Sequence, residues 1–151
     1  MANAQIPEGL TADYENAEVR EAMLALQGAP DYERLANFLT TLRAGFLVAD
    51  VTGTHKKKST RVRTVRSTKG QLLLPLFTSM HELRTAHPKG RQHEVKGAIM
   101  PALEALRLMR SSPFVAVQFD AASAAFVVLR KYIDLVLDDQ PIAAAELEAM
   151  R

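Results

Sequence analysis

The sequence contains no cysteine and no tryptophan, and only 6% of its 151 residues are aromatic. The absence of cysteine excludes disulfide bonds, thiolate zinc sites, cysteine-ligated iron–sulfur clusters and catalytic thiols. No apolar run approaches the roughly 20 residues that a membrane-spanning helix needs. Residues 1–10 lack the positive charge and apolar stretch of a secretory signal. We therefore expect a cytoplasmic protein with no membrane partner.

Familiar catalytic and ligand-binding motifs are missing as well. The seven glycines form no Gly-x-Gly-x-x-Gly sequence, no Walker loop and no Gly-x-Ser-x-Gly sequence. His81, His87 and His93 are six residues apart, a spacing that does not place them on one helix face, and no His-Glu-x-x-His motif occurs. We interpret these histidines and His55 as surface residues. The sequence thus predicts no metal site, no cofactor and no catalytic residue.

The composition that remains is that of an ordinary soluble globular domain. Hydrophobic residues make up 48% of the chain and charged residues 24%. A chain of this length forms one domain and buries roughly 70% of the surface that its unfolded form exposes. A hydrophobic core of normal size is therefore expected.

Charge is unevenly distributed along the chain. The formal net charge of +2 combines −5 in residues 1–50, +9 in residues 51–100 and −2 in the remainder, and no acidic residue occurs between Asp50 and Glu82. We call the densest cationic stretch the basic segment; it contains Lys56, Lys57, Lys58, Arg61, Arg63 and Arg66. Such a segment is typical of a solvated loop with an edge strand, or of a surface that binds an acidic partner.

Two kinds of partner are compatible with the basic segment. Nucleic acid is one, but no aromatic residue occurs between Leu47 and Leu76, so the stacking platforms used by single-strand binders are missing. The segment also lacks the pattern of a recognition helix. An acidic protein surface is the favoured partner, and the acidic first third of a second copy is one candidate. Nucleic acid stays the alternative.

Hydrophobic spacing predicts two helices at the start of the chain, followed by strands that alternate with further helices. Helices are expected over about 16–27 and 31–44, joined as a hairpin by Gly28-Ala29-Pro30, and later from 79, from 101, over 130–137 and over 141–151. Strands are expected over 46–51, 60–67, 71–77, 94–100, 114–119 and 125–129. Pro75 cannot donate a ladder hydrogen bond, so it predicts an edge, a bulge or a strand end.

Three short features carry the local chemistry. Ser79 and Glu82 have the spacing of a capping box, in which each side chain accepts a hydrogen bond from the other residue's backbone. Asp50 and Asp120 stand near predicted strand ends, where catalytic acids occur but where turn-forming aspartates are common too. A small enzyme using Asp50 or Asp120 is therefore a further alternative.

Together these elements predict one α+β domain, with a mixed sheet of about five to six strands packed with helices and an N-terminal helical hairpin. Residues 1–15 are expected to be a flexible tail, residues 16–138 the domain, and residues 139–151 a tail or short helix.

The segment Leu74-Pro75-Leu76-Phe77-Thr78-Ser79, followed by a helix containing Glu82, resembles the signature of the SseB N-terminal domain, a bacterial family named for enhanced serine sensitivity. The order of the other predicted elements agrees with that family over about residues 16–138. The resemblance implies an α+β fold and brings no catalytic residues. Pro75, Phe77, Thr78, Ser79 and Glu82 are its structural motif.

These observations favour a non-enzymatic cytoplasmic protein-interaction or regulatory module. The residues expected to bind the partner are those of the basic segment.

Overall fold

The computed structural model describes residues 4–52 and 62–151, with the side chains of Ala4 and Gln5 left aside. It confirms an α+β fold with a mixed sheet and an N-terminal helical hairpin. The strands are β1 (Ala4–Gln5), β2 (Phe46–Asp50), β3 (Val65–Arg66), β4 (Leu72–Phe77), β5 (Gly97–Pro101), β6 (Ala116–Phe119) and β7 (Phe126–Leu129). The α-helices are α1 (Ala17–Gly28), α2 (Tyr32–Thr41), α3 (Met80–Thr85), α4 (Ala102–Arg107), α5 (Arg130–Leu137) and α6 (Ala144–Ala149), and 3₁₀ helices span Lys89–Glu94 and Leu108–Ser111.

Six of the strands follow one path across the sheet, in the order β1-β5-β2-β4-β6-β7, and β3 pairs with β4 in addition. The β1–β5 and β4–β6 pairs are parallel, and the other pairs are antiparallel. Strand β4 therefore has β6 along one side, while β3 and β2 share its other side.

The N-terminal hairpin begins and ends at residues with clear local reasons. The side chains of Asn16 and Asp31 accept hydrogen bonds from the backbone N–H groups of Val19 and Arg34, which caps α1 and α2. After α2, Gly45 has a φ of 78°. An added Cβ there would stand 2.9 Å from the Asn16 side chain. Only glycine fits both the left-handed backbone and this close approach.

The main core lies on one face of the sheet. Side chains of β2, β4, β6 and β7 pack there against α1, α2, α4, α5 and α6. Phe38 of α2 meets Phe119 and Phe126 edge to face, with ring centroids 5.7 and 5.6 Å apart. Alternation along each strand explains why Leu74 and Leu76 face this core while Leu73, Pro75 and Phe77 face the other side.

The other face of the sheet has two unlike halves. Over β5 and β2, a smaller cluster joins Val48, Ile99, Met80 and Leu83, so α3 covers this half. Gly97 makes the close fit possible, because an added Cβ would lie 2.5 Å from the Met80 sulfur. Among the described residues, no helix covers this face over β6 and β7.

Two predicted strands differ from the structure. The strand predicted over 60–67 is paired only at Val65–Arg66 in its described part. The strand predicted over 94–100 begins later, because Lys89–Glu94 forms a 3₁₀ helix and β5 spans Gly97–Pro101.

The prediction that Pro75 marks an edge, a bulge or a strand end is wrong, because β4 is an internal strand. On the side shared by β3 and β2, β3 pairs with Leu72 and Leu73, and β2 pairs with Leu76 and Phe77. Pro75 lies between these two sets of pairs. A residue without an N–H is tolerated in the middle of the sheet because the neighbouring strand changes there.

The segments predicted as tails make contacts with the domain. Ala4–Gln5 pair with β5, and the Tyr14 hydroxyl accepts a hydrogen bond from the backbone of Phe46 at 3.1 Å. At the other end, Leu147 of α6 is fully buried in the main core. Residues on both sides of the predicted 16–138 domain therefore contribute to the folded unit.

Candidate functional site

Along one side of β4, the paired strand changes from β3 to β2, which leaves a gap in the sheet between β3 and β2. Asp50 lies at this gap. Asp50 is the last residue of β2, and its carbonyl accepts a hydrogen bond from the Arg63 N–H at 2.9 Å. Pro75 lies across the gap in β4. The sheet thus brings the end of β2, the approach to β3 and the middle of β4 to one place.

The Asp50 carboxylate is held by groups from three parts of the chain. Its Oδ2 is 2.7 Å from His87 Nε2 and 3.7 Å from Arg63 Nε, and its Oδ1 accepts a hydrogen bond from the Thr52 N–H at 3.0 Å. The Asp50 and His87 side chains are only 6% and 12% exposed, whereas that of Arg63 is 54% exposed. The pair is therefore enclosed on the protein side, and the guanidinium faces solvent.

These groups line a cleft of about 170 Å³. Pro75, Phe77 and Gln118 contribute from the sheet, and Ala86–Pro88 contribute from the end of α3. The remaining lining residues are Asp50, Arg63, Thr64, Val65 and Ala121. One carboxylate, one imidazole and one guanidinium therefore stand around a small and mainly apolar depression.

An apolar surface extends from the cleft across β3, β4, β6 and β7, and we call it the open half-sheet. Strand register places Val65, Leu73, Ala116 and Leu129 in one row and Pro75, Gln118 and Val127 in the next, all facing away from the main core. Val65, Val127 and Leu129 are 40%, 45% and 50% exposed. Among the described residues only one other large hydrophobic side chain, Leu24, is as exposed. Leu73 and Ala116, in the middle of the first row, are only 8% and 1% exposed, so the exposed apolar side chains lie at the two ends of this surface. Exposed apolar side chains that lie side by side, as Val127 and Leu129 do, are typical of interaction surfaces.

A second cluster lies at the end of β6, around the fully buried carboxylate of Asp120. Asp120 Oδ2 is 2.6 Å from Arg20 Nη1, and the carboxylate accepts hydrogen bonds from the Thr78 N–H and Thr78 hydroxyl, both at 2.8 Å. Burial raises the pKa of the Asp120 carboxyl, and the two Thr78 hydrogen bonds and the Arg20 charge oppose that rise. All of these partners are structural, so Asp120 ties the end of β4 to α1.

Glu82 connects the family motif to this second cluster. The Ser79 hydroxyl accepts a hydrogen bond from the Glu82 N–H at 3.1 Å, which confirms one half of the predicted capping box. The Glu82 carboxylate does not return to Ser79; it accepts from the Ser123 hydroxyl at 2.8 Å and lies 3.3 Å from Arg20. The motif residues Thr78, Ser79 and Glu82 thus join the end of β4 to the turn between β6 and β7, and Pro75 and Phe77 line the cleft.

The predicted basic segment is only partly within the described residues. Lys56, Lys57, Lys58 and Arg61 lie outside them, as does His55. Arg63 reaches the cleft, while the exposed Arg66 donates from Nη1 to the Gly70 carbonyl at 2.8 Å. Of the described arginines in this segment, Arg63 is therefore the one placed at the candidate site.

His87 was missed by the sequence patterns, and the interpretation of this residue as a surface histidine is wrong. His87 pairs with the Asp50 carboxylate, which is 37 residues away in the sequence. No local motif links the two residues. In residues 4–52 and 62–151, no group of three or more histidine, aspartate and glutamate side chains is arranged to hold a metal ion.

A comparison with protein families covers much more than the segment from β4 into α3. The model of the SseB protein N-terminal domain family matches residues 19–134, which is most of the chain. The chain belongs to this family. No curated protein and no solved structure matches this SseB domain. None of the helices in its described part has the length and apolar character that crossing a membrane requires.

Proposed function

We propose that this SseB domain is a non-enzymatic interaction or regulatory module of the cytoplasm, and that its cleft and open half-sheet bind an acidic segment of a partner protein. One observation carries the proposal. Three large apolar side chains are exposed on the open half-sheet: Val65 next to the solvent-facing Arg63, and Val127 and Leu129 at the opposite edge.

The apolar part of this surface supplies the attraction. Removing such side chains from water contributes about 25 cal/mol per Å², and surfaces of this kind on soluble proteins are typical of partner binding. The row from Val65 to Leu129 runs across four strands, so an extended or helical segment lying across the strands would cover both exposed ends.

The charge around the cleft favours an acidic partner. The half-exposed Arg63 is 3.7 Å from Asp50, whose Oδ2 lies closer to His87. The Arg63 guanidinium therefore has donors left for another carboxylate. Residues 51–100 carry a net charge of +9, which attracts an acidic segment and accelerates its encounter with the cleft.

The two alternatives keep distinct supports. Nucleic-acid binding rests on the basic segment from Lys56 to Arg66 and does not need the apolar face. An enzyme would rest on Asp50 with His87, since the Asp120 carboxylate is enclosed by structural partners. Neither alternative accounts for the exposed Val65, Val127 and Leu129.

A capture and titration experiment tests the proposal. Tagged wild-type protein, Arg63→Glu, Val65→Asp and the control Leu24→Asp are used to capture proteins from lysate, and any captured protein is purified and titrated against each variant. Val65 and Leu24 are similarly exposed, at 40% and 45%, but only Val65 lies on the open half-sheet. We expect the dissociation constant to rise about tenfold or more for Arg63→Glu and Val65→Asp and to stay unchanged for Leu24→Asp.

Two results would contradict the proposal. One is the absence of any saturable protein partner. The other is a partner that binds all four proteins equally.

In parallel, labelled DNA and RNA are titrated at two salt concentrations with wild type and with a charge reversal of Lys56, Lys57, Lys58 and Arg61. Tight binding that only the reversal abolishes would establish the nucleic-acid alternative instead.

A further inference from the structure

Strand β7 (Phe126–Leu129) is the last strand on its side of the sheet, and its outer edge is unpaired in the described chain. It pairs with β6 on one side, and no strand of the described chain pairs with it on the other. An edge strand leaves every second N–H and C=O group without a ladder partner. The edge therefore offers main-chain hydrogen bonds to another strand.

Apart from its short length, β7 lacks the devices that usually block such an edge. Its sequence, Phe-Val-Val-Leu, contains no charge and no proline, and its register with β6 is continuous over all four residues, without a bulge. Natural edge strands are normally protected by lysine, proline or a bulge. The exposed Val127 and Leu129 add apolar side chains to the same strand.

A second copy of this chain matches that edge better than a charged partner does. Antiparallel pairing of β7 with β7 about a two-fold axis places uncharged residues opposite uncharged residues, so no like charges meet. The same pairing brings Val127 and Leu129 of the two copies together on one face. An acidic strand would find no positive charge within β7 to balance its own charge.

We infer that β7 is a homodimerisation edge, through which two copies join their sheets by antiparallel β7–β7 pairing. A four-residue strand is only about 13 Å long, so this contact alone stays below the roughly 1,000 Å² typical of stable interfaces. The dimer is therefore weak and reversible, with a dissociation constant in the micromolar range or above.

Sedimentation velocity over a wide concentration range tests this inference on the full chain. Wild type is expected to shift reversibly from monomer to dimer as its concentration rises. Val127→Lys places like charges at the paired edge and is expected to raise the dimer dissociation constant at least about tenfold. Leu24→Lys is the matched control, because Leu24 and Val127 are both 45% exposed but Leu24 lies on α1. Circular dichroism and the unfolding midpoint verify that each variant is folded.

Each outcome decides the point. A wild type that stays monomeric at every concentration would overturn the inference, and so would a dimer that Val127→Lys leaves intact. Dimer loss in Val127→Lys alone supports it. The partner-binding proposal is tested separately by Val65→Asp, three strands away from β7, so either proposal can fail while the other holds.

Discussion

Asp50 and Asp120 occupy comparable places in the chain and have different roles. Each follows or ends a buried strand and each carboxylate lies close to an arginine. Asp120 is fully enclosed, and its partners Arg20 and Thr78 come from α1 and the end of β4. Asp50 opens onto the cleft, with a solvent-facing Arg63 beside it.

The difference shows that an acidic residue at a strand end acquires its role from the sheet around it. Strand β6 pairs with β4 without a gap up to Phe119, so the N–H and hydroxyl of Thr78, just after β4, lie against the Asp120 carboxylate. β2 is followed by a gap along β4, so the space at Asp50 stays partly open. Asp120 is therefore part of the framework, and Asp50 is part of a surface.

The largest expected effect comes from removing each carboxylate in turn. Asp120→Ala should lower the free energy of unfolding by about 3 kcal/mol, because Arg20 and the Thr78 donors lose their partner and alanine must adopt a φ of 49°. Asp50→Ala should cost only about 1 kcal/mol, the usual net worth of a hydrogen bond, because water in the cleft can replace the lost carboxylate. Urea unfolding of both variants measures the difference. Equal losses would contradict the contrast drawn between the two sites.

A smaller effect is expected from Thr78→Val, which removes one hydroxyl donor to Asp120 and keeps the shape of the side chain. The loss should be about 2 kcal/mol, the usual worth of a buried hydrogen bond to a charged group. Thr85→Val is the control, because the exposed Thr85 hydroxyl donates only to a carbonyl one turn back in α3. A loss of similar size in both variants would mean that the Asp120 contact is unimportant.

The smallest expected effect is a change of stability with pH. Burial raises the pKa of Asp120 in the folded chain above its value in the unfolded chain, so the folded state binds this proton more tightly. The contribution of Asp120 to stability therefore falls as pH rises through the folded pKa and recovers as pH falls. Unfolding free energies of wild type and Asp120→Asn, compared from neutral pH to about pH 4.5, should diverge in favour of wild type toward acid. The opposite slope would show that Arg20 and Thr78 outweigh burial.

Local sequence patterns were sufficient to predict most helices and strands, and one of the two hydrogen bonds of the capping box at Ser79 and Glu82. The caps at Asn16 and Asp31 lie at the starts of the two predicted N-terminal helices, and the Ser79 cap on α3 was predicted outright. These features depend on residues three or four positions apart. The return contact of Glu82 was not predictable in this way, because its partner Ser123 is 41 residues away.

The cleft was beyond local patterns for the same physical reason. Asp50 and His87 meet because β4 changes neighbour at Pro75, and that change is a property of strand order rather than of any segment. The sequence marked Pro75 as exceptional and predicted an edge, a bulge or a strand end. A proline inside an internal strand also needs no partner for its missing N–H when it lies beside a gap in pairing. Only the arrangement of β2, β3, β4 and β6 distinguishes this case from an edge strand.

The parallel pairing of β1 with β5 has a consequence for how the protein is made. Ala4 and Gln5 lie opposite Gly97 and Ala98, so β1 has no strand to join until β5 has been synthesised. Chains of this kind cannot complete their sheet in the order in which they are translated. Strand β1 is therefore added to the sheet after translation has passed β5.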